Sequence, residues 1–423
     1  MKQPPLITPR EVDVPRAQRH TLPNGASLYA IPSDDFEVLR FTFVFRAGSS
    51  MQHAPFAASA TANMLSEGSR DMTARQIAER LDFHGSYFEV NVDRDYVYIS
   101  FSSLSKFFGP TLEVAEQILL QPLFPEDELR AYCEKRKQTL TIERRKVDTV
   151  VREIFAEALF GDKHPYGISY PEKDYDTLTR ADLESLYRRL YTAENCLVVC
   201  SGRIGEEELQ GIGALAEKLP RADRSATADF PAPRSEAYRF VERPDAVQSS
   251  LRVGRLLFTR THPDFVGMQV VATVLGGYFG SRLMQNLRGE HGYTYGVGAA
   301  MVNFEREGYL GIAAQVGAEV TAPALREIYN EIERREPMPE EELSLVKNIM
   351  TGEVMRILDG PFGIADVTIE NLLCGTNNGV IEENIRRIQA ITPAEVQRLA
   401  VKYLRREDLI TAVVGAVNPK HEI

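Results

Sequence analysis

The segment Leu178-Thr-Arg-Ala-Asp-Leu183 leads through Leu186 into an apolar run ending at Gly202. The same pattern returns as Ile391-Thr-Pro-Ala-Glu-Val396, leading through Leu399 into a run ending at Gly415. Thr179 and Thr392, Ala181 and Ala394, and Gly202 and Gly415 are each 213 residues apart (392 − 179, 394 − 181, 415 − 202), about half of the 423-residue chain. A constant offset through a helix and the strand after it points to two copies of one unit. Each copy has its own local logic. Thr179 or Thr392 is a helix N-cap, with Asp182 or Glu395 as its capping-box partner three residues on. Pro393 takes the first helical position, where its missing N–H is harmless. A β-rich strand follows, Cys196 to Cys200 in one copy and Leu409 to Val414 in the other.

Between the copies, Leu219 to Arg234 is rich in Pro, Ala and charge and lacks periodicity, as a linker does. The reading is a domain at 1–220, a linker at 221–234 and a homologous domain at 235–423, each of ordinary domain size. In the first half, Val38–Arg46 alternates as a strand, Ala57–Leu65 and Ala74–Leu81 (capped by Thr73) read as helices, and Tyr87–Val92 with Tyr96–Phe101 reads as a strand pair. Gly109–Leu119 and a long, charged Pro125–Leu159 complete its helices. The second half runs in parallel. It has a strand at Ser249–Leu257, helices at Phe265–Leu275 and Gly280–Arg288, strands at Tyr295–Phe304 and Gly308–Val316, and helices from Pro323, Pro339 and Gly363. Few βαβ units appear, so an α+β class with sandwiched layers fits better than a doubly wound sheet.

The net charge of −11 excludes a general nucleic-acid binder, which needs a basic patch. Most of this charge is assigned to solvated surface; the remainder suits an acidic cavity that attracts basic peptides. The N-terminal residues show no apolar signal region, and no run approaches a membrane span, so a cytoplasmic location is expected. Cys133, Cys196, Cys200 and Cys374 form no CxxC and no regular framework; buried free thiols are expected.

Several motifs, in order along nearly the whole chain, resemble the M16 family (insulinase and mitochondrial processing peptidase). His20-Thr-Leu-Pro-Asn-Gly25 resembles the family's opening strand and turn, and Phe45-Arg-Ala-Gly-Ser49 its "A-G-S" segment. Met64-Leu-Ser-Glu-Gly-Ser69 resembles "M-L-F-K-G-T", and Phe160 to Gly167 resembles "F-G-x-x-H-P-Y-G". Ser281-Arg-Leu283 through Tyr295-Gly-Val297 resembles the C-terminal "S-R-L…Y-x-V". The resemblance implies two homologous α/β sandwich domains of the LuxS/MPP-like metallohydrolase fold, arranged as a clam-shell.

Active members carry H-x-x-E-H on one helix, two zinc ligands and a general base. Laid on this chain, that pattern falls on Ser59, Ala62 and Asn63, none of which substitutes. The third ligand, a downstream Glu, falls at Thr139 or Thr141, or at Glu143 in a shifted register. The seven histidines show no pair at helical ligand spacing; His53 reads as a loop residue and His164 as a capping or surface one. No metal is assigned to this chain.

The resemblance implies that a second half-site is kept. In the family an Arg and a Tyr of the C-terminal domain hydrogen-bond a substrate carbonyl. They match Arg288 and Tyr295, with Tyr293 the rival in register. Gly85–Asn91 resembles the strand whose edge pairs with extended substrate; a plain interior strand is the alternative. Leu275–Gly280 is a short turn, and no Gly-Lys-Ser/Thr follows to make it a phosphate loop. Some members work as heterodimers in which one subunit carries H-x-x-E-H and the other only the Arg/Tyr pair. The expectation is a non-catalytic subunit that helps bind and orient peptide for such a partner, which holds the zinc. The alternatives are a purely structural, scaffolding homologue and a self-sufficient hydrolase with another site.

Overall fold

The computed structural model describes residues 12–221, 230–334 and 336–423, so the expected linker at 221–234 falls largely outside them. The first half runs β1 (Gln18–Thr21), β2 (Ser27–Pro32), β3 (Val38–Phe45), α1 (Ala57–Met64), α2 (Ala74–Phe83), β4 (Tyr87–Val92), β5 (Val97–Leu104), α3 (Phe108–Leu120), α4 (Glu126–Glu143), α5 (Val147–Phe160), α6 (Arg180–Leu190), β6 (Cys196–Gly202) and α7 (Glu206–Glu217). The second runs β7 (Tyr238–Glu242), β8 (Gln248–Leu257), α8 (Phe265–Gly276), a π-helix (Met284–Glu290), β9 (Val297–Asn303), β10 (Gly308–Gly317), α9 (Thr321–Glu333), α10 (Glu340–Ile357), α11 (Pro361–Leu373), α12 (Gly379–Ala390), α13 (Pro393–Tyr403) and β11 (Ile410–Gly415).

Each half builds one mixed sheet. The strand orders are β1-β2-β6-β3-β5-β4 and β7-β11-β8-β10-β9. Without the extra edge strand β1, the two orders are the same. The strands of the sequence repeat take equivalent places: β6 pairs parallel with β2 and antiparallel with β3, as β11 does with β7 and β8. The caps hold as well. Asp182 N–H donates to Thr179 Oγ1 while Thr179 N–H donates to Asp182 Oδ2 at 2.9 Å. In the second copy Glu395 N–H donates to Thr392 Oγ1.

The faces of each sheet follow from the period of two along a strand. In β3, Leu39, Phe41, Phe43 and Phe45 enter the core under α1, α3 and α6. The alternate residues Arg40 and Val44 face the other way, and there they meet α11 of the second half. Val44, Ile31 and Val199 pack with Ile364, Ala365 and Ile369, and Arg40 pairs with Asp366 and donates to the Phe362 carbonyl at 2.7 Å. The exchange is reciprocal. Helix α5 of the first half lays Val150, Val151, Phe155 and Leu159 on the outer face of the second sheet, against Ile410, Ala412 and Val414. Each sheet is thus covered on one side by its own half's helices and on the other by a helix from the opposite half. The result is a two-domain α+β fold of sandwiched layers.

Three features depart from the sequence reading. The expected long helix at Pro125–Leu159 is two helices, because the chain turns at Arg144–Lys146, where Lys146 is extended. The Arg144 guanidinium fixes that turn by donating to Glu153, Glu172, Ser169 Oγ and the Tyr170 carbonyl. The expected helix at Gly280–Arg288 closes as a π-helix over Met284–Glu290, and β2, α7, β7 and α12 have no counterpart in the sequence reading. All four cysteines are free, with Cys196 and Cys200 buried; burial pushes the Cys200 thiol up to about 12.

Candidate functional site

Helix α1 carries the motif positions. Its N-cap Phe56 sits in the left-handed region (φ 63°), a strained conformation for a bulky residue. A face-to-face stack on Tyr175, with ring centroids 3.8 Å apart, holds it there. Ser59 Oγ donates to the Phe56 carbonyl at 3.0 Å, and Asn63 Nδ2 donates to the Ser59 carbonyl at 2.7 Å. Both side chains are therefore engaged by their own helix, and Ala62 is wholly buried. Across from Ser59, the α4 residue lining the same cavity of about 190 Å³ is Leu140. Thr139 and Thr141, on either side of it, turn their hydroxyls to the carbonyls of Lys135 and Lys137. A hydroxyl and an amide already bonded to backbone, an alanine and a leucine do not fit zinc. Among the described residues no group of three or more His, Cys, Asp or Glu is placed to hold a metal.

His53, His164 and His262 serve packing and local bonding. His53 lies 3.5 Å from the cap residue Asp182, and His262 stacks on Phe258. His164, read from sequence as a capping or surface residue, is only 2% exposed. Its Nδ1 accepts from the Tyr166 N–H at 3.1 Å, and its ring stacks on Phe160. Burial, then the nearby Arg306 charge, hold it below the ordinary histidine range.

The structure brings Arg288 and Tyr295 together. Arg288 is in the last turn of the π-helix; irregular turns of this kind recur at functional sites. Gly292 (φ 64°) then reverses the chain. Thr294 pins the loop: its hydroxyl donates to the Gln315 carbonyl of β10 and accepts from the Gly296 N–H. Tyr295 is left 87% exposed. Arg288 Nη1 donates to the Tyr295 carbonyl at 3.1 Å, and its guanidinium lies 4.7 Å over the exposed Phe279 ring. Of its five N–H donors most remain free for a ligand. The rival Tyr293 stacks on His291 and packs against the core, so it is the less available phenol.

Tyr295 and Ser59 lie at the two ends of a trough made of three adjoining cavities. Tyr295, Asp148 and Ala313 line one of about 500 Å³. Ala313 also lines the central cavity, about 540 Å³ between α5 and the second sheet. Arg94 and Ala156 line both the central cavity and the one at Ser59. β4, expected as either an edge or an interior strand, is the edge of its sheet and, among the described residues, pairs only with β5, which leaves one row of its backbone groups without a strand partner there. The sequence reading missed Arg94, Arg252 and Thr294. Thr294 is an unspecified position inside the "S-R-L…Y-x-V" segment and the arginines belong to no motif; only the close approach of α5 to the second sheet gives the two arginines a common cavity.

The turn carrying Arg94 is also where the halves are latched. The buried Asp95 carboxylate accepts from Tyr166 Oη at 2.7 Å, from Ser50 Oγ and from the Glu305 N–H. Burial raises its pKa despite these bonds. Glu305 in turn accepts from Arg46 Nε at 2.6 Å and from Tyr96 Oη at 3.0 Å. The β9–β10 turn of the second half is thereby fixed to the first.

Residues 177–350 match the family model described as "Peptidase M16 inactive domain". An uncharacterized zinc protease of Mycobacterium bovis is 27% identical over 288 residues; the match takes in 65% of this chain and 64% of that protein, a little under two thirds of the relative's own length. The probable mitochondrial-processing peptidase subunit beta of Arabidopsis thaliana is 21% identical, with 96% of this chain and 80% of that protein covered. The crystal structure of a peptidase M16 inactive domain from Pseudomonas fluorescens superposes with a TM-score of 0.86 at 23% identity, covering 95% of this chain and 98% of the other. With the ordered motifs and the repeated sheet, these likenesses support reading the chain as an M16 family protein.

Proposed function

We propose that the chain is the non-catalytic subunit of a heterodimeric M16-type zinc peptidase, located in the cytoplasm, where it binds and orients peptide substrate for a zinc-bearing partner. The observation that carries this reading is the contrast between the two half-sites. At α1 every position of the zinc motif is closed off by bonds within the helix or by apolar neighbours. At the π-helix, Arg288 and Tyr295 stand exposed on a loop pinned by Thr294.

In this role Arg288 and Tyr295 each donate a hydrogen bond to a substrate carbonyl. The guanidinium brings a fixed positive charge and the phenol a neutral donor, and both favour the charge that develops on that oxygen. The free edge of β4 offers main-chain pairing to an extended peptide, a mode with little sequence specificity. No described helix is long and apolar enough to cross a membrane.

The test is co-expression with an M16 chain that carries H-x-x-E-H, followed by peptide-cleavage assays of the purified complex. Arg288→Ala and Tyr295→Phe, made in this chain only, are expected to lower kcat/KM by about 10²–10³, the usual effect of losing an oxyanion donor. Full activity of the Arg288→Ala complex would refute the reading.

A further inference from the structure

The charge lining the trough opposes that of the chain. Along its three cavities stand Arg94, Arg144, Arg152 and Arg252 against Asp148 and Glu153. The formal excess is two positive charges in a protein of net charge −11. Both carboxylates are already engaged, Glu153 by Arg144 and Asp148 by Arg152 and Arg252. The acidic cavity for basic peptides expected from composition is therefore not what the fold builds. The acidic residues lie elsewhere, and the cleft concentrates arginine.

The central cavity holds the surplus. Among the described residues no carboxylate lines it, while three arginines do. Arg252 Nε is buried and meets no acceptor. Arg94 donates to no acceptor among the described residues, although burial lowers its pKa; a guanidinium keeps its charge all the same. Arg94 has the Asp95 and Glu153 charges near it and Arg252 has Asp148, but the Arg94 guanidinium and Arg252 Nε keep donors without an acceptor among the described residues; buried donors left unbonded are unfavourable, and an incoming carboxylate relieves that with charge-assisted, bidentate bonds. The remaining wall suits a peptide. Phe155, Phe160 and Tyr309 give apolar contact, and the small residues of β9 and β10 let a chain approach the sheet closely. At Gly298 an added Cβ would meet nothing nearer than the Gly276 carbonyl at 3.9 Å. The volume, about 540 Å³, is within the usual range for ligand sites.

We infer that the trough selects peptides bearing a carboxylate, which seats against Arg94 and Arg252 in the central cavity. The inference rests on the peptide-binding reading and names its substrate class. An acidic side chain and a free C-terminus present the same chemistry, and the test separates them.

The experiment measures binding of fluorescein-labelled octapeptides to the full chain by anisotropy. The peptides share one neutral backbone with Glu, Gln or Lys at the centre, and each is made with a free and an amidated C-terminus. Glu over Gln is expected to gain about ten- to a hundredfold in affinity if the side chain is read. The free acid over the amide gains as much if the terminus is read, and Lys binds weakest in either case. Arg94→Met, close in volume but uncharged, is expected to abolish the discrimination, and Arg94→Lys to retain part of it. Gly298→Met, which fills the cavity from the opposite wall, must remove the same discrimination independently of Arg94. Binding that ignores charge, prefers Lys, or keeps its preference in either Arg94→Met or Gly298→Met overturns the inference but leaves peptide binding standing. Failure of every peptide to bind removes the reading beneath it.

Discussion

Expressed alone, residues 235–423 should not fold, although the sequence repeat marks them as a homologous unit. The outer face of the second sheet is covered by α5 and the segment after it, which belong to the first half. Val150, Val151, Phe155, Leu159, Phe160 and Tyr166 are all buried there. At roughly 1.5–3 kcal/mol for each large buried side chain, removing them forfeits on the order of 10–15 kcal/mol, an upper estimate because an unfolded chain is already partly collapsed. A domain's entire net stability is about 5–15 kcal/mol. The fragment also loses the Arg239–Glu157 and Arg252–Asp148 pairs, which leaves Arg252 on an uncovered sheet. Urea titration followed by near-UV circular dichroism, with dye binding to exposed apolar surface, reads the outcome. The expected result is no cooperative transition and strong dye binding, reversed when residues 147–167 are fused ahead of 235–423. A sigmoidal transition of normal steepness for the bare fragment would show that the exchanged helix is dispensable and the reasoning wrong.

Two further outcomes follow from the site. His164 must stay neutral to accept the Tyr166 N–H, and its pKa in the fold lies below the ordinary 6.5. The unfolded chain therefore binds the extra proton first, and stability is lost as pH falls from 6.5 through the lower folded value. His164→Asn, which keeps an acceptor and cannot titrate, should remove that part of the pH dependence of the urea midpoint, and an unchanged profile would count against it. At α1, Ser59→His, Ala62→Glu and Asn63→His together should still fail to hold stoichiometric zinc, because Leu140 faces the site. Adding Leu140→Glu should bring about one zinc per chain by elemental analysis, completing a three-ligand set; full loading of the triple variant would refute the placement of Leu140.

Local rules made much of the fold legible. The Thr179 and Thr392 caps, the alternation in β3 and the β4–β5 strand pair depend on residues within a few positions of one another, and each stands where the pattern places it. The failures share a different cause. A continuous helix through Arg144 agrees with propensity, but one guanidinium with four tertiary acceptors bends the chain there. The π-helix turns on how Asn286 and Leu287 carbonyls meet the N–H groups of His291 and Tyr293, which no periodicity reveals. The electropositive trough was invisible for the same reason. Arg94, Arg152 and Arg252 are scattered along the chain, and only the exchange of α5 onto the second sheet lines one cavity with them.

The two half-sites also differ in how much structure maintains them. A position released from a chemical role settles into whatever satisfies its neighbours, and α1 has that character. Ser59 and Asn63 bond their own helix, Ala62 is packed, and Leu140 offers apolar surface. The Arg288 loop is the opposite case. An exposed phenol and an exposed Phe279 ring contribute little to the core, yet a buried threonine, a left-handed glycine and an irregular helix all serve to present them. Exposed aromatic and guanidinium groups on an ordered scaffold are what recognition surfaces use, whereas a purely structural homologue has no call for the Thr294 anchor. At the positions that the M16 resemblance singles out, the contrast between a closed α1 and a supported Arg288 loop is therefore the physical argument for the proposed division of labour over decay.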